Sequence, residues 1–175
     1  MGRFKTLPNC LTLLRISLLP FIVVLVVQEK FRPALYLFLL CAFTDFLDGY
    51  IARRSGSATG IGELFDPVAD KLLTSLTLIA LAYVRACDPY SVIVIVGREE
   101  AVTGMRAIAV MKGSTIPVSK GGKLKTLLTM LSVILLLSQR RTAGELLLIA
   151  SAVVALLTGL FYFYTLLEIL RGEAT

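Results

Sequence analysis

The sequence predicts an all-α membrane protein, with six transmembrane helices around a polar cavity that opens to the cytoplasm. Three observations lead there. First, 57% of the 175 residues are hydrophobic and the mean hydropathy is +0.83, against about 45–50% apolar residues in a soluble domain. Second, the excess is gathered in long runs of about 20 residues, the length that a hydrocarbon core of about 30 Å demands at 1.5 Å per residue. Third, Lys and Arg are divided unequally between the two ends of these runs, which sets an orientation.

The first run covers residues 11–27 and follows Gly2-Arg3-Phe4-Lys5. Residues 1–10 suit a short interfacial segment. No small-residue cleavage site follows the run and further runs do, so a cleavable signal peptide is not expected. The second run covers residues 33–53 and carries two aspartates near its far end. The third covers 65–84, the fourth 90–111, and the fifth, the shortest, 124–137. The sixth, 144–170, is the most uniformly apolar. No internal repeat or low-complexity segment stands out, and residues 1–175 read as one domain.

With six spans both termini share a side. That side receives nine basic residues: Arg3, Lys5, Arg53, Arg54, Lys112, Lys120, Lys123, Lys125 and Arg171. The opposite loops receive five: Lys30, Arg32, Arg85, Arg140 and Arg141. The richer side is expected to be cytoplasmic. The net charge is +6, and the apolar runs direct that charge to anionic lipid. The aromatic-interleaved basic stripe of a nucleic-acid binder is missing, so no nucleic-acid partner is expected. The chain contains no His, so a carboxylate must serve wherever a base or metal ligand is needed. Cys10, Cys41 and Cys87 are odd in number and far apart, which argues against a zinc site or a disulfide framework.

The chemistry concentrates where the second run ends and the third begins. Asp45 and Asp48 are three apart, and Asp66 and Asp70 are four apart, so on helices each pair lies on one face. The Gly/Ser-rich stretch 54–61 between them reads as a turn that returns the chain antiparallel. Four carboxylates would then converge at membrane level, where even one Asp near a helix centre costs about 2.5–3.5 kcal/mol. Hard divalent cations are the natural compensation, and oxygen-only ligands favour Mg2+ or Mn2+ over zinc. Two such ions suit displacement at phosphorus, with one carboxylate left as general base. Ordinary ion pairing with Arg53, Arg54 and Lys71 would account for two helix-end acids, but it fits four at helical spacing poorly.

The stretch reads Asp45-x2-Asp48-Gly49-x2-Ala52-Arg53-x8-Gly62-x3-Asp66-x3-Asp70. It resembles the signature of the CDP-alcohol phosphotransferase family at every fixed position. Eight fixed positions coincide by chance about once in 10^10 starts. The resemblance implies that Asp45, Asp48, Asp66 and Asp70 ligate two divalent metal ions. It also implies that Asp70 deprotonates the attacking hydroxyl, and that Gly49 and Arg53 face the CDP part of the donor. A homodimer in the inner membrane of a bacterium, with its active site toward the cytoplasm, is implied as well.

Two basic segments bear on the acceptor. Arg98 and Arg106 are eight apart in the fourth run and share a broad helical face. Intramembrane arginines usually line a polar cavity. With Lys120, Lys123 and Lys125 they would form an anion pocket, which suits a phosphorylated acceptor better than choline or ethanolamine. The alternative for Arg98 is pairing with Glu99, Glu100 or another acid, but helical neighbours do not face each other. Contact with anionic lipid head groups is an alternative for the lysines. Together with Pro8-Asn9-x-Leu11-Thr12-x2-Arg15, these segments resemble the family branch that joins CDP-diacylglycerol to sn-glycerol 3-phosphate and releases CMP. Branches that use inositol phosphate need a similar pocket. A divalent-cation transporter would show paired halves with interrupted helices, and none are found.

Overall fold

A computed structural model describes the backbone of residues 7–55, 62–117 and 119–171, and the side chains of residues 14–44, 71–117 and 119–171. The described residues form six helices: α1 Leu7–Val27, α2 Phe31–Ser55, α3 Gly62–Tyr83, α4 Pro89–Met111, α5 Lys120–Leu137 and α6 Arg141–Arg171. Each expected run has its helix. The helices are generally longer than the apolar runs because their ends extend into polar sequence. α1 starts at Leu7, so residues 7–10 form its first turn, and residues 1–6 lie outside the described part.

Local sequence sets the helix ends. Asp88 caps α4: its Oδ2 accepts from the Ser91 N–H at 2.8 Å and from the Ser91 hydroxyl at 2.7 Å, with Pro89 following as first residue. Ser119 caps α5 by accepting from the Gly122 N–H at 3.0 Å. α1, α3 and α5 end alike, with Glu29, Arg85 and Gln139 in the left-handed region at φ 58°, 57° and 61°. In each case the next N–H reaches back five residues: Lys30 to Leu25 at 2.8 Å, Ala86 to Leu81 at 2.9 Å, and Arg140 to Leu135 at 2.9 Å. These three turns lie at one end of the bundle. At the other end Gly113, at φ 78°, closes α4 by the same pattern.

The bundle is assembled from two groups. α1 packs on α2 and α3, while α6 packs on α4 and α5; α3 meets both α4 and α5, and α2 meets α5. α5 and α6 approach closely at their shared turn, where a Cβ on Gly144 would lie 2.7 Å from Leu136 Cγ and 3.1 Å from its backbone nitrogen. The Ser132 hydroxyl donates to the Gly144 carbonyl at 2.8 Å across that contact. The main apolar core joins residues such as Ile22, Phe38, Leu78, Val133 and Leu148. A smaller one, Val102, Ala109, Ile116, Tyr162 and Leu166, lies between α4, α6 and the segment entering α5.

Large apolar side chains are exposed on all six helices, among them Phe21, Tyr36, Ile79, Ile93, Leu127 and Leu157. A water-facing surface rarely carries such a continuous apolar cover. Among the described residues, one helix, Arg141–Arg171, is long and apolar enough by itself to cross a bilayer. At 1.5 Å per residue its 31 residues reach about 46 Å. Leu14–Val27, Phe31–Thr44 and Lys71–Tyr83 are shorter apolar stretches. α4 and α5 fall short of that criterion because they carry the charged groups described next.

Candidate active site

α2 carries positions 45, 48, 49 and 53, and α3 carries positions 66 and 70. The helical spacing that puts Asp45 with Asp48, and Asp66 with Asp70, is therefore present in the backbone. The side chains of Asp45, Asp48, Gly49, Arg53, Asp66 and Asp70, and residues 56–61 of the expected turn 54–61, lie outside the described residues. Among the described residues no three His, Cys, Asp or Glu side chains gather as a metal site. The donor set itself is chemically suited to Mg2+ or Mn2+: four carboxylates in a chain without His.

One turn beyond Asp70 on α3, a cavity of about 160 Å³ opens between α3, α4 and α5. Lys71, Thr74 and Ser75 line it from α3, Ile95 and Glu99 from α4, and Lys125, Thr126 and Thr129 from α5. Glu99 is the centre of its polar wall. Its Oε1 accepts from Lys125 Nζ, and from Arg98 Nη1 at 3.2 Å, and Lys71 Nζ stands 3.9 Å from Oε2. Lys71 also donates to the Thr103 hydroxyl, which in turn donates to the Glu99 carbonyl at 2.7 Å.

The contact between Arg98 and Glu99 corrects the expectation that adjacent helical residues stay apart. The guanidinium sits on a long flexible stem, so it can fold alongside its own helix toward the carboxylate when both are drawn into the same polar interior. Arg98 is at the same time held by α6, donating from Nη2 to the Thr158 hydroxyl at 3.0 Å. Arg106 donates from Nη2 to the Tyr162 hydroxyl at 2.8 Å. The guanidinium carbons of Arg98 and Arg106 lie 5.3 and 5.1 Å from the centroid of the Tyr162 ring, within cation–π range. The two arginines thus share one aromatic neighbour.

The five basic residues read from the sequence fall into two settings. Arg98, Arg106 and Lys125 are inside the bundle and linked through Glu99 and Tyr162. Lys120 and Lys123 are exposed on the first turn of α5. Among the described residues of this cluster, Lys71, Arg98, Arg106 and Lys125 carry positive charge, and Glu99 is the carboxylate they share directly or through Arg98 and Tyr162. Among the described residues the buried Nε of Arg98 and of Arg106 have no hydrogen-bond partner. A cluster of cations with free buried donors among the described residues is chemically suited to an anion.

Sequence reasoning passed over Glu99 as a hub, together with Lys71, Thr158 and Tyr162. One signal was available. Thr158 and Tyr162 are four apart in the most apolar run, so they put two hydroxyl groups on one face of an otherwise apolar helix.

The model of the CDP-alcohol phosphatidyltransferase family matches residues 5–163. A Rickettsia typhi protein named CDP-diacylglycerol--glycerol-3-phosphate 3-phosphatidyltransferase is 37% identical, over 91% of this chain and 96% of its own length. A Bacillus subtilis protein of the same name is 36% identical over 75% of this chain and 76% of its own. A Mycobacterium tuberculosis protein named probable phosphatidylglycerophosphate synthase is 32% identical over 98% of this chain and 86% of its own. With nearly the whole chain matched, and a helix-borne acidic motif beside a cationic cavity, this protein belongs to the CDP-alcohol phosphatidyltransferase family.

Proposed function

We propose that this enzyme transfers the phosphatidyl group of CDP-diacylglycerol to sn-glycerol 3-phosphate, giving phosphatidylglycerol phosphate and CMP. The relatives' names support the reaction. The observation that carries the acceptor is the set of cations joined through Glu99 and Tyr162: Lys71 and Lys125 line the α3–α4–α5 cavity, and Arg98 and Arg106 adjoin it on α4. A phosphate suits such a set of cations, and a neutral or cationic alcohol does not.

In this reading the six helices span the inner membrane of a bacterium, with the acidic motif toward the cytoplasm and a second copy completing a homodimer. The exposed apolar side chains on every helix support lipid as the surrounding solvent. The donor's acyl chains enter sideways from the bilayer.

Asp45, Asp48, Asp66 and Asp70 would hold two Mg2+ or Mn2+ ions. When bound, such ions supply Lewis-acid stabilisation of the donor diphosphate and of departing CMP. Gly49 lets the nucleotide approach the backbone, and Arg53 offsets diphosphate charge. Arg98, Arg106 and Lys125 hold the acceptor phosphate, with Lys120 and Lys123 drawing it toward the cavity. Asp70 accepts the proton of the 1-hydroxyl. The oxygen then bonds to the β-phosphorus, the one that carries the lipid. The bond from that phosphorus to the CMP oxygen breaks, and CMP leaves with the electron pair.

The test is a product assay. Purified enzyme is given labelled CDP-diacylglycerol with glycerol 3-phosphate, inositol phosphate or inositol in separate reactions. Label in phosphatidylglycerol phosphate with the first acceptor alone is expected. Preferential transfer to inositol phosphate would keep the chemistry and replace the acceptor.

A further inference from the structure

We infer that Tyr162 is a positioning residue, which holds the guanidinium groups of Arg98 and Arg106 in place for the acceptor phosphate. The inference rests on the reading of those arginines as acceptor ligands and goes beyond it by naming what orients them.

Tyr162 is 1% exposed, deep against α4 in the longest apolar helix. Burying a phenol there demands partners for its hydroxyl, and the partners come from outside α6. The hydroxyl accepts from Arg106 Nη2 at 2.8 Å and from the Ser119 N–H at 2.9 Å, and donates to the Pro117 carbonyl at 3.2 Å. One oxygen thereby ties the α4 arginine to the backbone that starts α5, where Lys120 and Lys123 stand.

The ring acts beside the hydroxyl. Both guanidinium groups lie about 5 Å from its centroid, so its negative face offsets part of their mutual repulsion. Thr158, one turn earlier, fixes Arg98 Nη2. The neighbouring Gly159 gives the Arg98 stem room: a Cβ there would lie 3.3 Å from Arg98 Cγ. Held in this way, each arginine still has its buried Nε uncommitted among the described residues. Donors fixed before the ligand arrives lose little freedom on binding, which is the advantage of preorganisation.

The experiment is steady-state kinetics on the full chain in detergent micelles, with CMP release as readout and each substrate varied separately. Tyr162→Phe keeps the ring and removes the hydroxyl. The expected result is a rise of about tenfold in KM for glycerol 3-phosphate, the size of one lost hydrogen bond to a charged group. kcat and the KM for CDP-diacylglycerol should stay within about twofold. In an Arg106→Ala background the same change should add little, because the two act as one unit. Equal loss for both substrates would mean a packing role and overturn the inference, as would full additivity with Arg106→Ala.

Arg106→Ala separates the two claims. If it raises the acceptor KM while Tyr162→Phe does not, the inference falls and the acceptor pocket stands. If it leaves the acceptor KM unchanged, both fall. Should Tyr162→Phe fail to fold, Arg106→Lys carries the test. A single ammonium keeps the charge but cannot reproduce the planar fork that meets both ring and hydroxyl. A selective rise in acceptor KM is again expected, and no change overturns the inference.

Discussion

Glu99 and Lys125 form an ion pair inside the helical bundle, with side chains only 15% and 5% exposed, and the same Glu99 oxygen also receives Arg98. An acid and a base so little exposed are tolerable only together, because their attraction offsets part of the desolvation penalty of each. The pair also shows why the cations of the cavity do not disrupt the fold: Glu99 balances part of their charge.

Breaking this pair from the two sides should give unequal results. Glu99→Ala strands Lys125 and is expected to destabilise the enzyme by about 3–5 kcal/mol. Lys125→Met removes a buried charge and leaves Glu99 with Arg98 and Lys71, so a clearly smaller loss is expected. Thermal unfolding in detergent compares them. Equal losses would mean that stem packing, rather than charge, dominates at Lys125.

Asp70→Asn should lower CMP release by about 10²–10⁴-fold, the usual contribution of a general base, with the unfolding temperature nearly unchanged. Removing divalent metal with a chelator should abolish activity in the parent enzyme, and Mg2+ or Mn2+ should restore it. Asp70→Asn activity close to that of the parent would take the base role from this residue.

Asp88 provides a pH signature away from the chemistry. Hydrogen bonds from the Ser91 hydroxyl and from the Ser91 N–H hold its carboxyl below the ordinary value of 3.8. A depressed carboxylate pKa means that the cap's stabilisation is complete above 3.8 and is lost as pH falls through the folded-state value. The difference in unfolding temperature between parent and Asp88→Ala should therefore be largest near neutral pH and shrink under acid. A difference that is constant down to pH 2 would contradict the cap.

Much of the framework was legible because it depends on local rules. Run length and hydropathy located all six helices, since each run can hide its backbone polar groups only by becoming helical. The aspartate spacing likewise needed nothing beyond the helical repeat. Arg98 and Arg106 were legible as a pair for the same reason. Their surroundings were not: Thr158 and Tyr162 lie 60 and 56 residues away from them in sequence, and no spacing rule connects those distances.

By itself, the sequence determined the helices of the described residues, the acidic motif with its family, and the arginines and lysines carried by the fourth and fifth helices, because periodicity, charge and oxygen-donor chemistry act over a few residues. Only the tertiary structure decided how the basic residues divide. It enclosed Lys125 against Glu99, set Arg98 and Arg106 around Tyr162, and left Lys120 and Lys123 exposed. The reason is physical: a charge in a low-dielectric bundle takes its partner from whichever helix packs beside it, and that neighbour is chosen by three-dimensional packing.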